Sequence, residues 1–336
     1  MAKRIGKGTI IFENKPVIIS SGAVVGKKEG EGPYGEFFDY VLEDSRFGEK
    51  TFEQAESKMQ KMATAYAINK IGLKADDIDT LCAGDLLNQC IGTSFGLKDY
   101  NIPLIGVYGA CSTMALSMII TSFMIESGAV NKGVAVTSSH FCSAERQYRF
   151  PLEYGSQRTP NSQWTVTGSG AALLSNSGEG PVIFAVTIGK IVDLGVKDQN
   201  NMGAAMAPAA ADTIVTFLKD TNTKPKDYDA IFTGDLGLVG SDLLYALTDK
   251  EGIDIRNRHN DFGVMMFDIG KQDAHSGASG CGCSASLMCS YVMEQFKKGN
   301  FKNILYCATG ALLSPTSVMQ GGTVPGICHL VNIKTL

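Results

Sequence analysis

The segment Asp77-Ile-Asp-Thr-Leu-Cys-Ala-Gly-Asp-Leu86 occurs again 150 residues downstream as Asp227-Tyr-Asp-Ala-Ile-Phe-Thr-Gly-Asp-Leu236. Each copy contains Asp-x-Asp, a short apolar run typical of a buried parallel strand, and then Gly-Asp-Leu. A second pair of segments, Gly109-Ala-Cys-Ser-Thr-Met-Ala115 and Gly280-Cys-Gly-Cys-Ser-Ala-Ser286, lies 171 residues apart, and each precedes a predicted helix and strand. Two matched blocks in the same order indicate that one strand–helix unit was duplicated.

The order of the predicted elements favours one fold class. Strands that alternate with helices predict an α/β fold with largely parallel sheets. The helix that follows Ser112 is apolar on nearly all sides, so we expect it between two layers rather than at the surface. Two stacked copies of the unit predict a duplicated five-layer α/β/α/β/α body, with one half over residues 1–178 and the other over residues 179–336.

Composition and charge disfavour several classes of protein. Of the 336 residues, 44% are hydrophobic and 19% are charged, which provides enough apolar surface for a packed core. The net charge of −4, with no basic run, disfavours nucleic acid as a partner. Nine cysteines without disulfide spacing, and no apolar leader or spanning segment, predict a reduced, soluble protein on the cytoplasmic side.

Cys111 is the strongest candidate for chemistry. It stands in the first turn of the predicted central helix, where unpaired N–H groups and the positive helix end favour a thiolate nucleophile. The same helix start is also an anion site that takes a carboxylate without a covalent step. A small buried cysteine that fills the core is the third interpretation, and the local sequence does not choose among the three.

Histidine and arginine side chains are expected on the same side of the molecule. His140 follows the predicted strand Gly133–Ser139, and His275 precedes the second helix start, so we expect both to line a pocket near Cys111. The long segment after His140 carries three arginines, which suit carboxylates, and the only tryptophan: Arg146, Arg149, Arg158 and Trp164. The alternative for this segment is an exposed flap with its arginines in solvent.

Motifs for cofactors and metals are missing from the sequence. Neither the dinucleotide-binding pattern G-x-G-x-x-G nor the phosphate-binding pattern G-x-x-x-x-G-K-[ST] occurs. Cys281-Gly-Cys283 has no second ligand pair with zinc spacing. We therefore expect no cofactor and no metal.

The duplicated unit, the Gly-Ala-Cys-Ser helix start and the strand Gly168-Ser-Gly-Ala-Ala172 resemble the thiolase fold, closest to its ketoacyl-synthase III-like branch. Within that fold, three stretches are similar to the stage V sporulation protein AD family. They are KPVIISSGAVVG (residues 15–26), GPYGEFFDYVLEDSRFGEKTFEQAE (32–56) and SSHFCSAERQYRFPLEYGSQRTPNSQWTVTGSGAALLS (138–175).

The resemblance to condensing enzymes implies a cysteine nucleophile and a His–Asn pair that polarises a carbonyl group. Cys111 falls on the cysteine position, but the histidine position reads Thr233-Gly-Asp235 and the asparagine position reads Cys281-Gly-Cys283. Loss of such donors costs about 3–4 kcal/mol of transition-state stabilisation each, so we do not expect efficient condensation. Acyl transfer through Cys111, with His275 as its base, is the alternative activity.

The sporulation family implies a different function, in which the former active-site cleft binds pyridine-2,6-dicarboxylate (dipicolinic acid), free or as its calcium chelate. The expected partners are membrane-embedded stage V sporulation protein A-type proteins at the spore inner membrane, which move the compound into the forespore and out at germination. A scaffold without a small ligand is the third interpretation. The resemblance also implies a homodimer that pairs the strand Gly168–Leu174. The expected cleft residues are Tyr108, Cys111, Ser138, His140, Arg146, Arg149, Trp164, His275, Cys283 and Gly310.

Overall fold

The strands and helices of a computed structural model that describes residues 2–149 and 157–336 follow the predicted alternation. The strands are β1 (Lys3–Ile5), β2 (Thr9–Ile11), β3 (Val17–Val25), β4 (Tyr40–Val41), β5 (Thr80–Asp85), β6 (Leu104–Gly106), β7 (Lys132–Ser139), β8 (Trp164–Thr165), β9 (Gly168–Ser175), β10 (Val182–Thr187), β11 (Ala230–Thr233), β12 (His259–Asp261), β13 (Ala278–Ser279), β14 (Asn303–Ala311) and β15 (Gly326–Lys334).

The helices in the same described ranges are α1 (Lys27–Gly30), α2 (Phe52–Asn69), α3 (Ile91–Leu97), α4 (Thr113–Glu126), α5 (Phe141–Tyr148), α6 (Met202–Thr221), α7 (Gly237–Lys250), α8 (Phe262–Met265), α9 (Cys281–Leu287), α10 (Met293–Lys297) and α11 (Pro315–Met319). A π-helical turn, Met288–Val292, joins α9 to α10. Helix α2 begins as its sequence predicts, because the Thr51 side chain accepts a hydrogen bond from the N–H of Gln54 at 3.2 Å.

The two halves of the chain build the same sheet twice. The first set of strands has the order β3-β9-β7-β5-β6, and the second has the order β10-β15-β14-β11-β12. In each set the first three strands are antiparallel and the last three are parallel. Strands β3 and β10 pair where Val17 meets Val182, which joins the two sets. The boundary proposed at residues 178 and 179 lies in the connection between β9 and β10.

Five layers result from this arrangement. Helix α2 packs on β3, β9 and β7, and α6 packs on β14 and β15, so these two helices form the outer layers. Helices α4 and α9 lie between the sheets, and α4 contacts strands of both sets. Met114 and Met118 of α4 are fully buried, as its all-round apolar sequence requires. The predicted five-layer α/β/α/β/α fold is therefore confirmed.

The repeated Asp-x-Asp motif has the same structural role in both halves. Asp79 accepts hydrogen bonds from the N–H groups of residues 131 and 132 at 2.7 and 2.9 Å. Asp229 accepts them from the N–H groups of residues 302 and 303 at 2.6 and 2.8 Å. Each carboxylate thus fixes the start of the neighbouring parallel strand, β7 in one half and β14 in the other. The motif serves the fold rather than the chemistry of the site.

The strand expected at a dimer interface is a central strand of the sheet. Strand β9 pairs with β3 along one edge and with β7 along the other, so Gly168–Leu174 has no free backbone edge for a second chain. This part of the dimer prediction is therefore wrong. Within residues 2–149 and 157–336, no helix is both long enough and apolar enough to cross a membrane.

Candidate functional site

A narrow cavity of about 50 Å³ opens where the parallel strands end, between the two halves. Its lining includes Cys111, Tyr108, Glu145, Tyr148 and Arg149. Strands β8 and β13 pair across the halves and bring Ser279 into the same lining. Pockets for drug-sized ligands usually measure about 300–1,000 Å³, so this cavity must widen before it admits such a molecule.

Cys111 is positioned by a tight turn before α4. Ala110 has a φ of +50°, in the left-handed region that non-glycine residues rarely adopt. Gly310 of β14 packs directly on this turn, because a Cβ atom on Gly310 would lie 2.5 Å from the carbonyl oxygen of Gly109. Gly310 is thus a supporting residue behind Cys111, which is itself only 5% exposed.

The start of α4 is occupied by its own turn. The N–H groups of Ser112 and Thr113 donate to the carbonyl oxygens of Gly109 and Ala110 at 3.1 and 3.2 Å, so these two groups are not free for an anion. Burial and the neighbouring Asp235 carboxyl raise the pKa of Cys111 well above its ordinary value. This raised pKa disfavours the thiolate nucleophile, which is one of the three interpretations of Cys111 that the local sequence leaves open.

Asp235 is a neighbour of Cys111 that was not among the residues expected at the site from the sequence. Its buried carboxylate accepts hydrogen bonds from Thr309 Oγ1 at 2.8 Å, from the Gly280 N–H at 2.9 Å and from Ser279 Oγ at 3.2 Å. Burial raises the pKa of Asp235 to about 6 despite these donors. The repeated Gly-Asp-Leu was the available signal, because it makes Asp235 the counterpart of the equally buried Asp85.

The asparagine position holds buried thiols. Cys281 Sγ donates to the carbonyl oxygen of Ser138 at 2.9 Å, and Cys283 Sγ donates to that of Gly234 at 3.7 Å. Burial raises the pKa of both thiols well above the ordinary value. Cys281 packs with Cys111 in a small apolar cluster, whereas Cys283 and Ser138 lie outside the cavity lining. Neither thiol is placed to polarise a carbonyl group in the cavity.

Ser138 belongs to a polar cluster behind the cavity. Its hydroxyl donates to Glu56 at 3.1 Å, and the hydroxyl of Ser143 in α5 donates to the same carboxyl at 2.8 Å. Burial and the nearby Asp85 carboxyl raise the pKa of Glu56 to about 8. A protonated Glu56 therefore fastens α5, which carries one wall of the cavity, to α2.

Arg149 and two tyrosines form the polar wall of the cavity. The Arg149 side chain is 12% exposed, and its Nε lies 3.3 Å from Glu145 Oε2. The hydroxyls of Tyr108 and Tyr148 are 3.3 Å apart, and Tyr148 donates to the carbonyl oxygen of Leu86 at 2.5 Å. The structure thus brings Tyr108, Cys111 and Arg149 together, as predicted.

Both histidines expected in the pocket serve other purposes. His140 is fully buried: its Nδ1 accepts from the Cys142 N–H at 3.1 Å and caps α5, while Nε2 donates to the Ser45 carbonyl oxygen at 2.7 Å. His275 Nδ1 lies 2.7 Å from the Thr159 carbonyl oxygen, and its Nε2 lies 3.0 Å from Asp273. Neither lines the cavity, so His275 is not placed as a base for Cys111.

Arg146 and Trp164 also lie outside the cavity lining. Arg146 is 54% exposed and pairs with Glu53 of α2. The Trp164 ring stacks on Phe141 with centroids 3.9 Å apart, and Lys28 Nζ stands 3.8 Å from the ring centroid. The Arg158 guanidinium group also lies 4.6 Å from the ring centroid. Trp164 lines a separate groove together with Lys28 and Phe141, so the aromatic slot expected at Trp164 is not part of the cavity beside Cys111.

In the part of the chain that the structure describes, no three His, Cys, Asp or Glu side chains are grouped to hold a metal ion. All nine cysteines are unpaired. The ionisable side chains in the cavity lining are one arginine, one carboxyl group, two phenols and a thiol, and the hydroxyl and amide groups of Thr165, Ser279, Gln199 and Asn200 complete its polar surface.

Comparisons with known proteins agree with this fold. The stage V sporulation protein AD (SpoVAD) family matches residues 6–334. Stage V sporulation protein AD of Bacillus subtilis (strain 168) is 40% identical over 327 residues, which cover 97% of this chain and 96% of that protein.

Among solved structures, 3-oxoacyl-[acyl-carrier-protein] synthase III from Aquifex aeolicus VF5 is similar, with a TM-score of 0.58 and 13% identity over 95% of this chain and 100% of that chain. Cerulenin-bound OleA from Xanthomonas campestris has a TM-score of 0.58 and 11% identity over 99% of this chain and 100% of its own. At such low identity these structures establish the thiolase-like fold alone. The match along nearly the whole sequence shows that the chain belongs to the stage V sporulation protein AD family.

Proposed function

We propose that this sporulation protein binds dipicolinate, free or as its calcium chelate, in the cavity beside Cys111, and that it binds the compound without a covalent step. In this role it supports the movement of dipicolinate into the forespore and its release at germination. The observation that carries the proposal is Arg149, a guanidinium group about nine-tenths buried in a cavity with aromatic walls.

The chemistry of the cavity suits a flat aromatic carboxylate. The planar guanidinium group of Arg149 matches a carboxylate in two parallel hydrogen bonds. Tyr108 and Tyr148 add ring surface and hydroxyl groups on the adjacent wall. A rigid pyridine dicarboxylate presents both features that this wall recognises, a planar ring and a negative charge in the ring plane.

Binding without catalysis agrees with the residues around Cys111. The positions of the His–Asn pair hold Asp235 and Cys281, a carboxyl group and a buried thiol. A negative Asp235 beside Cys111 opposes both a thiolate and a developing oxyanion. The site has kept the architecture of a condensing enzyme while its groups for carbonyl activation have been replaced.

Titration calorimetry with dipicolinate, with and without calcium, tests this function. Native protein is expected to bind, and Arg149→Gln is expected to bind about 10-fold to 100-fold more weakly, because a charge-assisted hydrogen bond contributes about 1.5–3 kcal/mol. Arg146→Gln is the matched control, since Arg146 is in the same segment but outside the cavity. Cys111→Ala is expected to change affinity only through packing. Absence of heat with native protein at millimolar dipicolinate would refute the function.

We also propose that an apolar patch formed by Ile191, Leu194 and Met319 docks on the membrane-embedded stage V sporulation protein A-type proteins. Ile191, Leu194 and Met319 are 63–73% exposed, which is unusual for large apolar side chains on one surface. Hydrogen bonds from Val192 to Gly326 and from Val324 to Val196 hold the two segments of the patch together.

A pull-down from spore membranes tests this docking surface. The double variant Ile191→Glu, Leu194→Glu is expected to lose the membrane-embedded sporulation proteins that the native chain retains. Leu238→Glu, at an exposed leucine of helix α7, is the control. Retention of the same proteins by the double variant would exclude the patch, and flotation with protein-free vesicles would show binding to lipid instead.

The geometry also favours a homodimer through strand β6. Among the described strands, β6 pairs only with β5 and stands at the end of its sheet, so its other edge is free. Leu104 of β6 is 42% exposed. Free apolar edges promote pairing with another strand, and a second copy of β6 supplies an identical edge related by a two-fold axis.

A further inference from the structure

The arginine of the cavity already has a carboxylate beside it. Glu145 and Arg149 are four residues apart at the end of α5, and their side chains are only 11% and 12% exposed. Both line the cavity. Glu145 therefore occupies the position beside Arg149 that a ligand carboxylate would take. Because the cavity measures only about 50 Å³, Glu145 must move before a ligand carboxylate can bind at the same place.

A second buried guanidinium group acts on the same carboxyl group. The Arg158 side chain is 9% exposed, and its Nη2 donates to the carboxylate and the carbonyl oxygen of Asp273 at 2.8 and 3.0 Å. Its Nη1 is buried and has no acceptor within residues 2–149 and 157–336. Burial raises the pKa of Glu145, and the charges of Arg149 and Arg158 oppose that rise, which places Arg158 within electrostatic reach of Glu145. A buried N–H group without an acceptor is energetically unfavourable, so a ligand that supplies a hydrogen-bond acceptor there would be stabilised.

We propose that Glu145 is a specificity-determining residue of the proposed dipicolinate site, an internal carboxylate that occupies Arg149 until a ligand carboxylate displaces it and Glu145 takes up a proton. The inference rests on the proposed function. It follows from charge balance: a dianion beside Arg149 together with an ionised Glu145 would leave excess negative charge among side chains that are only 11% and 12% exposed, and protonation of Glu145 removes one unit of it.

Among the ionisable groups around the cavity, Glu145 is the group that we expect to change its protonation state when the ligand binds. Facing it are the guanidinium groups of Arg149 and Arg158, and Cys142 on the same helix, whose pKa is raised by burial and by Glu145 itself. Tyr148, three residues further along the same helix, also has a raised pKa, as do Tyr108 and Cys111, so all three stay neutral near pH 7. Asp235 lies beyond Cys111 and titrates near pH 6, so it needs a separate control.

The direction of the pH effect follows from these charges. Burial raises the pKa of Glu145 in the free protein, and a bound dianion raises it further. Affinity is therefore greatest below the pKa of the free state and falls as pH rises toward the pKa of the bound state. An internal competitor also penalises ligands with a single carboxylate, since they offer Arg149 no more than Glu145 does.

Calorimetry at pH 6 and pH 8, in buffers of different ionisation enthalpy, tests the inference. Native protein is expected to take up protons and to bind dipicolinate more weakly at pH 8. Glu145→Gln is expected to bind about tenfold more tightly at pH 8, to lose the proton uptake, and to accept pyridine-2-carboxylate almost as well. Glu53→Gln, which frees the exposed Arg146 instead, should behave like native protein, and Asp235→Asn should keep the proton uptake.

Two results would decide against the inference. Glu145→Gln with native affinity and native proton uptake would show that Glu145 does not compete, and weaker binding by this variant would show that it contacts the ligand favourably. Absence of binding in native protein and in every variant would instead refute the proposed function. Thermal unfolding of each variant establishes that the folded state is the one titrated.

Discussion

Replacing Asp235 with Asn is expected to make Cys111 more reactive. The Asp235 carboxylate opposes a negative charge on Cys111, whereas an amide would donate a hydrogen bond to a thiolate. We therefore expect iodoacetamide to alkylate Cys111 about 3-fold to 10-fold faster at pH 8, a change equivalent to roughly 0.5–1 pKa unit. Peptide mass spectrometry resolves Cys111 from the eight other cysteines.

Asp85→Asn is the matched control for this experiment, because Asp85 occupies the equivalent place in the first half. Its carboxylate accepts from the N–H and hydroxyl groups of Thr93, both at 2.7 Å, rather than acting on Cys111. An alkylation rate that stays the same in Asp235→Asn, or that rises equally in both variants, would contradict the role given to Asp235.

The local sequence locates Cys111 but does not reveal its protonation state. A cysteine at a helix start is a local pattern, and the structure confirms its place beside a cavity. Its pKa depends on burial and on Asp235, and the distant part of the chain supplies Asp235 and Cys281, both more than a hundred residues away. The position of Cys111 at a helix start therefore does not predict its pKa.

Among the elements, β14 is expected to tolerate no side chain at Gly310. In Gly310→Ala the new methyl group would meet the Gly109 carbonyl oxygen at 2.5 Å and would push the Cys111 turn away. Because the atoms around this methyl group belong to the backbone, we expect a loss of about 1–3 kcal/mol in the free energy of unfolding and a loss of dipicolinate binding. Urea denaturation measures the first and calorimetry the second.

Gly270→Ala provides the same substitution at a position with room for it and outside β6. A Cβ atom on Gly270 meets only the Asp268 carboxylate oxygen, at 3.6 Å, so this variant should be as stable as native protein or slightly more stable. Equal stability of the two variants would show that β14 moves freely against the Cys111 turn.

Helix α5 explains why the arginines could not be assigned from sequence. The segment after His140 was expected as a long insertion, yet residues 141–148 form a helix capped by His140 itself. Arg146 lies on the helix and reaches Glu53 of α2, whereas Arg149 follows the helix end with a φ of −122° and turns into the cavity. Arg146 and Arg149 are only three residues apart, yet their side chains lie on different surfaces. Predicting this requires the packing of α5 on α2.

For the whole molecule, the sequence predicted the architecture well because the repeat is a global signal. Two copies of one unit constrain strand order and layering together, and the observed sheet shows the same topology in both halves. The choice of a dimer strand had no such support. It came from resemblance alone, and only the complete sheet shows that β9 is enclosed while β6 stands at an edge.

Because the chain is duplicated, its second half contains an edge strand that serves as a control for the proposed dimer interface. The counterpart of β6 is β12, which ends the other set of strands and carries His259, Asn260 and Asp261. His259 and Asp261 point inward to Thr233, which leaves Asn260 exposed, so this edge is polar. The two ends of the sheet thus differ in side-chain chemistry, and the apolar edge at β6 is the one suited to a second copy.

Leu104→Lys is therefore expected to separate the dimer, and Asn260→Lys is expected to leave it intact. A lysine at Leu104 would place two like charges close together across a two-fold axis and would remove apolar contact area, whereas the same residue at Asn260 meets only solvent. Light scattering coupled to size exclusion should give twice the 35.8 kDa chain mass for native protein and Asn260→Lys, and the single-chain mass for Leu104→Lys. Native protein at the single-chain mass would refute the dimer. Dissociation by Asn260→Lys instead would move the interface to β12.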